Sequence, residues 1–264
     1  MNILAIGDVI GKPGRQTVQK LLPGLRKQFS VDLVTANGEN AAGGLGLTIS
    51  TAKELLESGV DVLTSGNHIF DQREIIPYLD GDLPILRPLN YPPGPPRIPG
   101  RGCLMLDRVA IVNLIGRTFM SSYESPFRTM DQLLAGFRDQ YSTIIVDFHA
   151  EATSEKMALG RYLDGRVSAV VGTHTHIGTI DAKVFSRGTA YVTDIGMVGP
   201  EDSIIGDDTQ TVLNRFLTLM PHRLAVGSGD KNTFNSVLIN IDDKSGKALS
   251  IERVDREVDI PWAK

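Results

Sequence analysis

The first fourteen residues, MNILAIGDVIGKPG (Met1–Gly14), set a compact apolar run, Ile3 to Gly7, directly against Gly7-Asp8 and then a segment opened by Pro13. A short apolar run closed by turn residues reads as a buried strand, and the fixed φ of proline suits the first turn of a helix. The unit is strand, polar turn, helix. It recurs. Asp32 to Ala36 is a second strand, ending in Asn37-Gly38-Glu39-Asn40. Thr48 to Ser58 reads as a helix with Thr48 or Ser50 at its N-cap. Asp61 to Ser65 is a third strand, ending in Gly66-Asn67-His68. Such repetition is what parallel βαβ pairing requires, so the chain begins as an α/β fold.

Further along, RPLNYPPGPPRIPGRG (Arg87–Gly102) is too rich in Pro and Gly for regular helix or central strand. It reads as a rigid surface loop rather than a linker, because Gly102 to Leu106 and Val109 to Ile115 follow it as a hairpin about Asp107-Arg108. Pro126 to Gln140 is predicted helical, Thr143 to Asp147 a strand leading into Phe148-His149-Ala150-Glu151, Thr153 to Tyr162 a helix, and Ser168 to Val171 the strand that delivers GTHTH. The tail is strand-rich, with Ala190 to Thr193, Ser236 to Ile241 and Leu249 to Val254. The glycines of Gly196 to Gly206, GMVGPEDSIIG, suit a mobile loop over a site. No internal repeat is present.

Composition narrows the class. Hydrophobic residues make up 41% and charged residues 22%, which is ordinary for a globular enzyme. The formal charge of −4 argues against extended nucleic-acid binding, which draws on a basic surface. The single Cys103 excludes an intrachain disulfide and any multi-cysteine metal site, and suits a reducing cytoplasm. The start lacks the basic flank of a signal peptide, and no apolar run reaches the ~20 residues that span a bilayer, so a cytoplasmic location is expected.

Five of the expected strands end in side chains able to bind metal: Asp8; Glu39 with Asn40; Asn67 with His68; His149; His174 with His176. In α/β sheets the carboxyl ends of the strands line the crevice where ligands bind. Taken singly each signal has a plain structural reading. Gly7-Asp8 and NGEN are turns, and His149 is a hydrogen-bonded core histidine. The pair His174 and His176 is stronger, since i and i+2 share one face of extended chain. Four of the five histidines lie at such ends, and their convergence points to a metal site. Carboxylate, amide and imidazole without thiolate favour divalent manganese, iron or zinc. Seven or eight candidate ligands exceed what one tetrahedral ion takes, so two ions fit better. His222 stands apart and reads as structural.

These blocks, GDVIG, NGEN, GNHIFD, DFHAE and GTHTH, resemble in order and spacing the scattered pattern of the calcineurin-like metallophosphoesterases. With RPLN, GRTF, HAEATSEK, DGRVSAVVGTHTH and TDIGMVGP added, nearly the whole chain looks like the YmdB branch, a family of bacterial 2',3'-cyclic nucleotide phosphodiesterases. Departures from the wider pattern fit that branch: Ile10 stands where a histidine is usual, and Glu39 with Asn40 beside it where a bridging aspartate is usual. Ile69, not an acid, follows His68, and the nearest acid is Asp71, which either orients His68 or caps the helix that follows, the cap being the favoured reading.

The resemblance implies a single 1–264 domain built as an α/β sandwich, two mixed β-sheets packed together and flanked by helices. It implies two divalent ions, iron or manganese before zinc, one held by Asp8, Glu39, Asn40 and His176, the other by Glu39, Asn67, His149 and His174. His68 stays unligated and acts as the general acid that protonates the departing ribose oxygen, while the nucleophile is a metal-bound hydroxide. Glu151 and Asp194 are candidates to buttress ligating histidines through their second ring nitrogen. Arg117 and Arg166 are candidate contacts to substrate phosphate. The implied substrate is a small cyclic nucleotide such as 2',3'-cyclic AMP, with phosphomonoesterase or 5'-nucleotidase activity, or slow nucleotide sensing, as the alternatives. The family also suggests homo-oligomers, with the proline-rich loop or the C-terminal strands as possible interfaces.

Overall fold

The computed structural model describes residues 1–137 and 142–261. In chain order its elements are β1 (Asn2–Val9), α1 (Gly11–Gln28), β2 (Leu33–Asn37), α2 (Ile49–Glu57), β3 (Val62–Thr64), β4 (Cys103–Leu106), β5 (Val109–Ile115), α3 (Pro126–Phe137), β6 (Thr143–His149) and α4 (Thr153–Tyr162). There follow β7 (Ala169–Thr173), β8 (Lys183–Val184), β9 (Ala190–Val192), β10 (Met197–Pro200), α5 (Thr209–Thr218), β11 (Lys231–Phe234), β12 (Ser236–Ile241), β13 (Ala248–Arg253) and β14 (Arg256–Asp259).

One sheet runs β13-β12-β1-β10-β11-β14, with β2 beside β1 and β3 beside β2. The other runs β4-β5-β6-β7-β9-β8. Both are mixed: β1, β2 and β3 are parallel while β12 is antiparallel to β1, and β5, β6, β7 and β9 are parallel between antiparallel edge strands β4 and β8.

Side-chain alternation explains how the sheets stack. Along β1, Ile3 and Ala5 face the second sheet, where Ile111, Ile145, Val171 and Val192 complete one apolar layer. Leu4 and Ile6 point the other way, under Val18 and Leu22 of α1 and Leu55 of α2. On the far face of the second sheet Val112, Val146 and Phe148 pack against Met130 of α3 and Leu159 of α4. The order is helix, sheet, sheet, helix, the sandwich that the resemblance implied. With both faces covered, every residue of β5 and β6 is buried, which is why these strands read as continuous apolar runs and not as alternations.

Several elements differ from the sequence reading. The first helix opens at Gly11, which takes positive φ (54°), two residues before Pro13. Strand β6 continues through His149, because its register with β5 extends to the pair Ile115–His149. Gly196 to Gly206 is not a free loop: Met197–Pro200 is strand β10, buried beside β1. The helix expected over Pro126 to Gln140 is described to Phe137, and its remaining residues lie outside the described ones. Helix α5 and strands β11 and β14 were not anticipated. Arg87 to Gly102 forms no helix or strand and is closed at its ends by Arg87 N–H donating to Arg101 O (3.0 Å).

Thr48 caps α2 reciprocally: its hydroxyl accepts from Thr51 N–H while Thr51 Oγ1 accepts from Thr48 N–H. Thr48→Ala should cost about 1 kcal/mol, seen as a fall in Tm of roughly 2–4 °C by circular dichroism; an unchanged melt would show the cap to be idle.

Candidate metal centre

The carboxyl ends of β1, β2 and β3 from one sheet meet those of β6 and β7 from the other, and there the sequence-selected side chains come together. His149 Nε2 lies 2.9 Å from Glu39 Oε1, 3.1 Å from Asn67 Oδ1 and 3.0 Å from His174 Nδ1. Beside this group, His176 Nε2 lies 3.2 Å from Asn40 Nδ2 and 3.8 Å from Asp8 Oδ1. Glu39, His149 and His174 each offer a donor atom within 4.8 Å of the others. Asp8 is fully buried, and its Oδ1 has no hydrogen-bond partner. A buried orphan carboxylate oxygen costs free energy unless something positive faces it.

Each imidazole is turned so that one nitrogen faces the acids and the other is engaged outside. His176 Nδ1 lies 2.6 Å from the Ile205 carbonyl, to which it donates. His174 Nε2 faces Glu151 Oε2 at 3.0 Å, the buttress expected of Glu151. His149 Nδ1 lies 3.1 Å from Thr173 Oγ1, which donates to Asp147 Oδ1 (2.7 Å), and Thr64 Oγ1 donates to the other oxygen of Asp147. The sequence reading missed Thr173, Asp147 and Thr64, since only their position behind His149 marks them. Gly66 leaves room for that ring: a Cβ there would stand 2.1 Å from His149 Cδ2.

His174 and His176 do not share one face of an extended strand. β7 ends at Thr173, and the two histidines take φ of 102° and 64°. Left-handed backbone at a non-glycine residue costs of order 1–3 kcal/mol and needs support. Asp8 Oδ2 accepts from His174 N–H (3.1 Å), and Asp194 Oδ2 accepts from Thr175 N–H (3.1 Å) and Thr175 O–H (2.7 Å). The carboxylate of Asp194 is neutralised by Lys156 Nζ at 2.7 Å, both side chains being buried. Asp194 therefore pins the turn between the histidines and touches neither ring, contrary to the expectation. Lys156, unremarked in HAEATSEK, is the residue that permits it.

The titration behaviour follows from burial and charge. Burial pushes Asp8 up. Burial also opposes ionisation of Glu39, but the charge and hydrogen bond of His149 outweigh it and hold the carboxyl at about 2. Reciprocally, Glu39 overcomes the burial of His149 and lifts that imidazole to about 9. His174, buried and next to His149, falls to about 3 and stays neutral. The cluster thus demands one positive charge beside Glu39, and a proton on His149 supplies it. Acids, amide oxygens and neutral imidazoles, with no thiolate, are donors that suit a hard or borderline dication, so the residues present fit the metal ions that the sequence implied.

The cluster opens into a cavity of ≈ 700 Å³, lined among others by Glu39, Asn40, His68, His174, His176 and Arg223. That volume is in the range of small-ligand sites. His68 hangs over it: its N–H donates to Glu39 Oε2 (3.0 Å), and its Nδ1 is 2.6 Å from Asp71 Oδ2. Asp71 is therefore the orienting partner of His68 and not a helix cap; the short 3-10 turn Arg73–Tyr78 that follows has no side-chain cap. Arg117 and Arg166 lie elsewhere. Arg166 pairs with Asp131 at 2.6 Å, and Arg117 lines a separate depression near Glu155. The arginine on this cavity is Arg223, in a segment that carried no motif.

The fold defines the class first. The calcineurin-like phosphoesterase YfkN of Bacillus subtilis, 11% identical, superposes with a TM-score of 0.56 over 98% of this chain and 90% of that one, so the chain has a calcineurin-like phosphoesterase fold. Within that class the model of the YmdB-like protein family matches residues 4–254, and the chain belongs to that family. It is 46% identical over 258 residues to the 2',3'-cyclic-nucleotide 2'-phosphodiesterase of Bacillus subtilis (strain 168), covering 96% of each chain. A structure described as a novel phosphatase from Mycoplasma pneumoniae is 31% identical, with a TM-score of 0.91 over 99% of this chain and 95% of that one. No described helix is long and apolar enough to cross a membrane.

Two outcomes are expected. Thr173→Val removes the acceptor for His149 Nδ1–H and should weaken metal binding 10–100-fold by chelator competition, with Thr173→Ser restoring it; wild-type affinity in the valine variant would exclude the role. Metal binding should also strengthen with pH. Below about 9 the cation-free protein carries a proton on His149 that loading must expel, whereas Glu39 and His174 have none to lose near neutrality. Affinity should rise about tenfold per pH unit from 6 to 8 and level off near 9, and a flat profile would contradict this.

Proposed function

We propose that this chain is a metal-dependent phosphoric diester hydrolase that opens 2',3'-cyclic nucleotides, 2',3'-cyclic AMP among them. Asp8, Glu39, Asn40 and His176 would hold one divalent cation, and Glu39, Asn67, His149 and His174 a second, with Glu39 shared. What carries the reading is the pair of donor groups, one around His149 Nε2 and one around the unpartnered Asp8 Oδ1. The name of the Bacillus subtilis relative supports the substrate class. Iron or manganese suits these donors, and zinc is compatible with them. Cytoplasmic location, a homo-oligomeric state and one domain over 1–264 belong to the same reading.

When bound, paired dications polarise phosphate oxygens and supply water of near-neutral pKa. The chain's own residues do the rest. The charges of Asp8 and Glu39 hold the cations, and the fixed outer nitrogens of the three ligating histidines keep their inner lone pairs aimed. His68, tethered through Nδ1 to Asp71, keeps Nε2 for substrate and donates its proton to the ribose oxygen as the P–O bond breaks. No serine or cysteine nucleophile is called on.

His68→Ala should lose 10²–10⁴-fold in kcat while retaining its metal, whereas His149→Ala should lose metal and activity together. Elemental analysis alongside turnover separates the two roles, and full activity of His68→Ala on a substrate with a poor leaving group would remove the acid assignment. Metal-replete protein should open 2',3'-cyclic AMP faster than it cleaves 3',5'-cyclic AMP or adenosine monophosphate. The description of the Mycoplasma pneumoniae structure favours a phosphomonoesterase as the second reading. Faster release of phosphate from the monophosphate would select it, and undiminished cleavage after exhaustive chelation would end both.

A further inference from the structure

The candidate metal centre takes the carboxyl ends of the second sheet, and the amino ends carry a different feature. Three turns meet there: 107–108 between β4 and β5, 186–188 between β8 and β9, and 242–247 between β12 and β13. They border a depression of ≈ 340 Å³ at the start of β6, whose seven residues put it roughly 20 Å from His149. Arg108, Arg166, Arg187, Lys244 and Lys247 line it, and no acid does. Only Arg166 has an ion-pair partner among the described residues, Asp131. Gathering like charges costs repulsion, all the more notable in a chain of net charge −4. Nearby acids are engaged by backbone. Asp164 accepts from the Arg187 and Thr189 N–H groups (3.3 and 3.4 Å), and Asp242 from those of Lys244 and Ser245 (3.3 Å each).

The fold holds these cations in place. A Cβ on Gly188 (φ 103°) would stand 2.9 Å from Lys247 Cγ, and one on Gly165 (φ 79°) 2.8 Å from Arg187 Cβ, so both stems lie against bare backbone. Gly188 O accepts from Ala248 N–H (2.8 Å) and Arg108 O from Thr143 N–H (3.2 Å), which ties the turns to the sheet. We propose that this depression binds an oligophosphate, two or more phosphates in one chain, either free or as the tail of a nucleoside triphosphate. One phosphate carries about two negative charges at most, fewer than the four unpaired cations of the three turns would balance. A base finds no platform here: no aromatic ring lines the depression, and its apolar residues Ile144 and Val167 are buried. A long nucleic acid needs a basic track over more of the surface than one depression provides. The proposal is independent of the hydrolysis proposed for the metal centre.

Calorimetric titration of the full chain with sodium tripolyphosphate should show one site per chain, weakening as salt is raised from about 50 to 200 mM. Arg187→Glu with Lys247→Glu should lose roughly tenfold or more in affinity with an unaltered far-ultraviolet spectrum. Should that pair misfold, Lys244→Ala with Lys247→Ala is the second arm, with a smaller loss in the same direction. His149→Ala should bind the probe as the wild type does, so this site is read separately from the metal centre. Orthophosphate should bind roughly tenfold more weakly, and adenosine triphosphate about as tightly as tripolyphosphate. Unchanged affinity in the folded charge-reversal variant would overturn the proposal, and so would orthophosphate binding as tightly. Binding lost in His149→Ala but kept on charge reversal would mean that the probe meets only the catalytic cations. Tighter binding of the nucleotide would reject a site for the phosphate chain alone, and tighter binding of a short RNA duplex would reject a small-molecule site.

Discussion

Asp8 and Glu39 are carboxylates with almost no access to water, and the arrangement around them follows from that. Taking an ionised carboxylate out of water costs several kcal/mol unless opposite charge and hydrogen bonds replace the lost solvation. Glu39 obtains both from His149 and from the His68 N–H. Asp8 is compensated at Oδ2 alone, and its Oδ1 faces His176 without a bond. The residual negative charge is a standing demand for cations at the meeting edge of the two sheets.

Meeting that demand requires imidazoles whose inner nitrogens are free of protons when a cation is present, and hence outer nitrogens with somewhere to donate. The chain solves this three times with three different acceptors: the Thr173 hydroxyl, the Glu151 carboxylate and the Ile205 carbonyl. Partners of this kind fix tautomer and ring orientation together. The same economy extends outward. The strained turn of His174 and His176 persists because Asp8 and Asp194 hold its N–H groups, and Asp194 is tolerable in the interior only because Lys156 lies against it. A lysine on α4 in this sense supports the candidate metal centre.

The segment after β10 has a different character. Pro200 ends β10 in the first sheet, and beyond it the residues lining the cavity, Ile205, Asp207, Arg223 and Leu224, sit before and after α5 and not on it. Ile205 receives His176 Nδ1–H through its carbonyl and also lines the cavity.

The strand and helix units near the start were legible because apolar runs, Gly-Asp and Asn-Gly turns and a Thr cap are local signals, and each was recovered to within a few residues. The polar side chains that gather at the strand ends were legible too, since strands buried on both faces leave their ends as the natural place for such groups. The sequence could not supply the role of Asp71, because a carboxylate three residues from a histidine serves equally as cap or as partner until the backbone is known. Nor could it tell Arg223 from Arg117 and Arg166, or assign Asp194 to a turn rather than a ring. Asn40 meets His176 across 136 positions and Asn37 meets His149 across 112. By itself the sequence determined which groups end the strands; only the packing of two sheets decided which ends share an edge and which outer nitrogen meets which acceptor, because those contacts are long-range and leave no periodic trace in the chain.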